Sequence, residues 1–168
     1  MKILLAIFVF IMAIVPLPAE EINWHSMGDL AENINKIETR IFVYADFHND
    51  YLGGLFNEGV LTDSRIIKTL NQDYYCVRIY SREDTSNYVL YGKTYKYDGF
   101  SHQLMFAMLG YIAVIPVQII LDQRECIIQG GDSLNVVYEN GSYITAENFY
   151  TQLQTYRVNK DPALPPGK

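Results

Sequence analysis

The chain has 168 residues, 49% of them apolar and 19% charged, which is the size and composition of one globular domain with a real core rather than of a disordered segment. Its formal charge of −6 argues against phosphate-backbone binding as a primary role, because that needs a clustered basic surface. Its 14 tyrosines suit strands and half-buried surfaces.

The first residues stand apart from the rest. Lys2 precedes an apolar run from Ile3 to Val15, and Pro16-Leu17-Pro18-Ala19 follows. This is a short basic region, an apolar region of signal-peptide length and a small residue at a cleavage point. The run is shorter than the ~20 residues a membrane span needs. Residues 1–19 are therefore read as a signal peptide cleaved after Ala19, an uncleaved anchor being the alternative. The expected location is periplasmic or secreted, with no membrane attachment after cleavage.

Ser26 can cap a helix over Met27 to Lys36, where Leu30, Ile34 and Ile37 recur at helical spacing. Ile41 to Tyr44 is a short β-rich run, expected as a buried strand. Gly53-Gly54 is expected to break the chain. Asp63 or Thr62 can cap a helix carrying Ile66, Ile67 and Leu70, and Tyr75 to Tyr80 reads as the next strand. A polar stretch follows, and Tyr88 to Tyr97 reads as a small hairpin or an irregular insert. Its Tyr88, Tyr91, Tyr95 and Tyr97 either form a contact surface or pack on the sheet edge.

Ser101 can cap a helix through Leu109, ended by Gly110. Pro116 then leads into the strand Val117 to Leu121. Asp122 to Glu125 reads as a turn, with Cys126 to Gln129 pairing back as an antiparallel strand ended by Gly130-Gly131. Thr145 starts a last helix with Phe149 and Leu153 four apart. One domain is expected over 20–157, with a disordered tail over 158–168, where Pro, Gly and Lys dominate.

The order α-β-α-β-α-β-β-α, with Ile41 to Asp46 followed by a polar turn and with Ile115-Pro116 entering a late strand, resembles the thioredoxin fold. It resembles more narrowly the exported thioredoxin-like proteins of bacteria. Leu55-Phe56 with Val60 resembles the family's segment after its redox turn. Tyr111 to Val117 resembles the approach to its cis-proline, and Gly141 to Phe149 resembles its closing segment. The resemblance implies an α/β fold with a central mixed sheet flanked by helices.

The resemblance also locates a departure. The turn that should carry Cys-x-x-Cys carries His48-Asn49-Asp50-Tyr51. Exchange needs a thiolate to attack and a second thiol to resolve the mixed disulfide, and neither His48 nor Tyr51 can supply one. Cys76 and Cys126, the only cysteines, stand fifty positions apart and fit no redox or metal spacing. They are expected as separate thiols, Cys76 buried, rather than as a bridge.

His48 could act as a base or, with Asp46 and Asp50, approach a metal, but the spacing matches no ligand motif. Asp50 or Asn49 suits a helix cap equally well. In the family, the residue before the cis-proline offers its backbone to an extended peptide. The resemblance therefore implies a binding site of His48, Asn49, Asp50, Tyr51, Ile115 and Pro116. No catalytic residue, metal or cofactor is assigned. The expected partner is a periplasmic protein or peptide and not a nucleic acid, and the oligomeric state is open. The alternatives are an oxidoreductase working through a nonstandard site and a metal-binding accessory protein.

Overall fold

The computed structural model of the chain describes residues 20–46, 50–80, 85–90, 92–99, 102–104, 107, 116–122, 136–140 and 144–157. The expected signal peptide and tail lie outside these residues. In chain order the elements are β1 (Trp24–His25), α1 (Met27–Asn33) continued by one 3-10 turn over Ile34–Lys36, and β2 (Arg40–Asp46). Then come α2 (Tyr51–Gly59), α3 (Ser64–Asp73), β3 (Tyr74–Tyr80) and the small hairpin β4 (Tyr88–Leu90) and β5 (Lys93–Tyr95). The order closes with β6 (Val117–Leu121), β7 (Val136–Asn140) and α4 (Ala146–Thr155).

Each of the four named α-helices begins where a side chain takes an orphan backbone N–H. Ser26 and Asp29 form a reciprocal capping box on α1. Asp50 accepts from Gly53 N on α2, Asp63 from Arg65 N on α3, and Thr145 from Asn148 N on α4. The Asp50 cap carries the helix through Gly53-Gly54, where the sequence suggested a break. The two glycines inside the helix cost about 2 kcal/mol together, and the cap together with the burial of Phe56 outweighs it.

The main sheet has the order β1-β3-β2-β6-β7. β1, β3 and β2 run parallel, and β6 is antiparallel to both β2 and β7. β1, too short to read from the sequence, covers the outer edge of β3 only at Cys76 and Val77. The antiparallel neighbour of β6 is Val136–Asn140, not Cys126 to Gln129 as expected. Both edges of β6 are taken, by β2 and by β7. Residues 126–129 lie outside the described residues.

β2 is central and buried on both faces, and its period-two alternation divides the core. Ile41, Val43 and Ala45 pack with Leu30 and Ile34 of the α1 layer and with Leu90 and Tyr95 of the hairpin. Phe42 and Tyr44 pack on the other side with Phe56, Ile66, Leu70, Phe149 and Leu153. Rings there stand at 5.1 Å (Tyr44–Phe56), 5.2 Å (Phe56–Phe149) and 5.6 Å (Phe42–Phe149), joining β2, α2 and α4 through one aromatic cluster. The hairpin tyrosines serve packing: Tyr95 is buried and Tyr88 lies half-buried against the α1 layer. Tyr91 lies outside the described residues. Of the helix expected from Ser101, Gln103, Leu104 and Ala107 are described and helical.

Burial raises the acidities' midpoints of Tyr44, Tyr74 and Cys76 above their usual range, and the Asp46 charge adds to the effect on Tyr44. A raised value in the folded chain means that the stability conferred is intact below the unfolded value and lost as pH climbs past it. The urea midpoint should therefore stay level near neutrality and fall steadily above about pH 9 to 10, where free thiols and phenols ionise. An unchanged midpoint at about pH 10.5 would contradict the burial of these three groups.

Candidate functional site

The parallel strands β2 and β3 end together, Asp46 opposite Tyr80. In open α/β sheets this carboxyl end is where ligands gather. The β2–β6 register pairs Ala45 with Val117, so Pro116, buried, is the residue that comes up beside Asp46. The turn after β2 and the proline before β6 thus flank the same end of the sheet. Of the six residues expected there, Asp50, Tyr51 and Pro116 are described. His48, Asn49 and Ile115 lie outside the described residues.

Asp50 is the cap of α2, accepting from Gly53 N at 2.9 Å. Tyr51 is 76% exposed, and Leu52 and Leu55 are exposed beside it. Tyr51 and Leu55 are four apart and so lie on one side of the helix. The first two turns of α2 therefore present an apolar patch to solvent at the mouth of this sheet end.

Beneath those turns lies a polar cluster that the sequence reading did not assemble. Asp46 is 3% exposed. Its Oδ2 accepts from Tyr44 Oη at 3.0 Å and from Asn57 Nδ2 at 3.4 Å, while Oδ1 has no hydrogen-bond partner. Asn57 turns its other amide atom outward, Oδ1 accepting from Arg78 Nη2 at 2.8 Å. One amide thereby joins a buried carboxylate to a guanidinium. Arg78 lies 4.9 Å from the Tyr80 ring centre, 5.4 Å from Tyr44 and 5.5 Å from Trp24, close enough for cation–π attraction to each. The signal in the sequence was an even-numbered set: Tyr44 and Asp46 on β2 and Arg78 and Tyr80 on β3 share one sheet face by alternation.

Gly53 explains how α2 sits so close to the cluster. A Cβ at this position would meet Asp46 Oδ1 at 2.3 Å and Oδ2 at 2.4 Å. At the neighbouring Gly54 a Cβ would meet nothing within 4 Å.

Cys76 is four positions short of the sheet end, buried at 2% exposure, with Sγ toward the Leu70 and Tyr74 carbonyls. Burial pushes its thiol up, away from the thiolate that exchange requires. Cys126 lies outside the described residues. Among the described residues no three His, Cys, Asp or Glu side chains stand together as a metal would need. His25 stacks on the Tyr75 ring at 4.0 Å, and the His102 ring is held between Ser86 O and Leu104 N.

No protein-family model matches the sequence, and no curated protein matches it. Solved structures do. A thioredoxin from Thermus thermophilus, determined in solution, matches with a TM-score of 0.55 and 11% identity over 80% of this chain and 86% of that one. A DsbH oxidoreductase matches with a TM-score of 0.55 and 10% identity over 84% of this chain and 89% of that one. The chain has the thioredoxin-like fold.

The two adjacent glycines of α2 should respond in opposite directions. Gly54→Ala should stabilise by up to about 1 kcal/mol, the ordinary helix gain. Gly53→Ala should destabilise by about 1–3 kcal/mol, as overpacking does. Urea unfolding of the two variants measures both, and a stabilising Gly53→Ala would refute the close approach of Asp46.

Proposed function

We propose that this chain is an exported thioredoxin-fold protein that binds an extended peptide or protein segment and carries out no thiol–disulfide exchange at the turn after β2. The observation that carries the proposal is the exposed patch of Tyr51, Leu52 and Leu55 on the first turns of α2, beside the strand end that Pro116 adjoins. Exposed aromatic and aliphatic side chains are the anchors on which an extended peptide's own side chains pack. Groups that bind through contact rather than through a thiol are unaffected by His48 and Tyr51 standing where the resemblance implies cysteines. The N-terminal basic and apolar stretch supports export.

A second reading is an oxidoreductase, and the two structural neighbours are named as a thioredoxin and an oxidoreductase. The burial of Cys76 and the upward push on its thiol favour binding over that chemistry.

Fluorescence anisotropy with a pool of labelled unstructured peptides tests the binding. Saturable binding to the wild type should weaken at least about tenfold in Tyr51→Asp/Leu55→Asp, the loss of one or two interface anchors. Both side chains are exposed, so the variant should keep the wild-type circular dichroism. Equal affinity of the two proteins would overturn the assignment to α2.

A further inference from the structure

A cleft lies on the sheet face that carries Arg78, where the β1 edge meets α2 and α3. Its volume is about 560 Å³, within the range of small-molecule sites. Ile22, Trp24 and Leu61 give it apolar walls, Arg78 lines it from the sheet, and Glu20 and Glu21 line it from the N-terminal segment. Arg78 is half-buried and both glutamates are exposed, so the cation lies deep and the carboxylates lie at the rim.

Three features make this a built cleft. The rim is fixed: Asn71 Oδ1 accepts from Asn23 N and its Nδ2 donates to Glu21 O, each at 2.9 Å, and Ile22 between them is buried. The guanidinium is fixed: Asn57 holds Nη2, and three rings stand 4.9 to 5.5 Å from it. Its donors are in surplus. A guanidinium carries five N–H groups, and among the described residues only Nη2 makes a hydrogen bond, with Nε buried and without a partner. No carboxylate of the described residues forms an ion pair with it.

We propose that this cleft binds a small zwitterion with an apolar body, the class of an aliphatic α-amino acid. Its carboxylate meets Arg78, its side chain lies on Trp24, Ile22 and Leu61, and its ammonium faces Glu20 and Glu21. The order of charges selects it. A simple anion would satisfy Arg78 but meet two carboxylates at the rim, and a simple cation would meet Arg78 at the floor. Cleavage after Ala19 would add one ammonium at Glu20, which two carboxylates still outnumber. The site is separate from the proposed peptide groove and does not depend on it.

Trp24 is the sole tryptophan, so its emission reports on the cleft alone. Titration of the purified chain with leucine should change that emission saturably. Leucinamide, which lacks the carboxylate, and 4-methylpentanoate, which lacks the ammonium, should each bind at least about tenfold more weakly. Glu20→Gln/Glu21→Gln, two exposed changes that leave the fold alone, should remove the preference for leucine over 4-methylpentanoate. Arg78→Gln should abolish the leucine response with circular dichroism unchanged. No saturable response to leucine at millimolar concentration, leucinamide or 4-methylpentanoate as tight as leucine, or an unchanged preference in the double glutamine variant would each overturn the proposal.

Discussion

The close approach of the Asp46 carboxylate to the backbone of α2 sets the rest of this end of the molecule. A buried carboxylate is costly unless its oxygens find donors. Asp46 finds two on Oδ2, Tyr44 Oη from its own strand and Asn57 Nδ2 from α2, and the second depends on how α2 lies on the sheet. α2 can lie that close only because position 53 has no Cβ. The same glycine that lowers helix propensity therefore seats the helix. Once α2 is seated, Phe56 enters the aromatic cluster with Tyr44 and Phe149, and Tyr51, Leu52 and Leu55 are left facing solvent.

That polar cluster also spans the distance between the strand end and the cleft. Asp46 stands at the strand end beside Pro116, and Arg78 stands at the cleft beside Trp24. Asn57, bonded to both, spans the gap. An amide serves here because it accepts from a cation and donates to an anion at once. The arrangement keeps two charged groups beneath one helix without leaving either reliant on solvent alone.

Much of the fold was legible in the sequence because its elements carry local signals. The caps at Ser26, Asp63 and Thr145 and the apolar periods behind them appear where expected, and Val117–Leu121 is the strand its composition predicts. The errors came where local signals compete. Cys126-Ile127-Ile128 and Val136-Val137-Tyr138 are both β-rich, and sheet pairing, a long-range choice, selects the second as the neighbour of β6. Gly53-Gly54 looks like a break because the reason for Gly53 is a carboxylate seven residues earlier in a strand. The site was legible only in part: the sequence named the two flanks, Asp50-Tyr51 and Pro116, through a resemblance. The Asp46–Asn57–Arg78 chain needs three elements to be placed before it exists, and Asn57 carries no local sign of its role.

The proposed account is of a thioredoxin-like frame whose exchange chemistry has been replaced by contact. Its most direct test is the reduction of insulin by dithiothreitol, followed by turbidity, with the purified chain added. The account predicts a rate indistinguishable from dithiothreitol alone, because His48 and Tyr51 offer no thiol and Cys76 is buried. Robust, concentration-dependent acceleration that is lost in a Cys126→Ser variant would contradict it and establish an oxidoreductase working through a different cysteine.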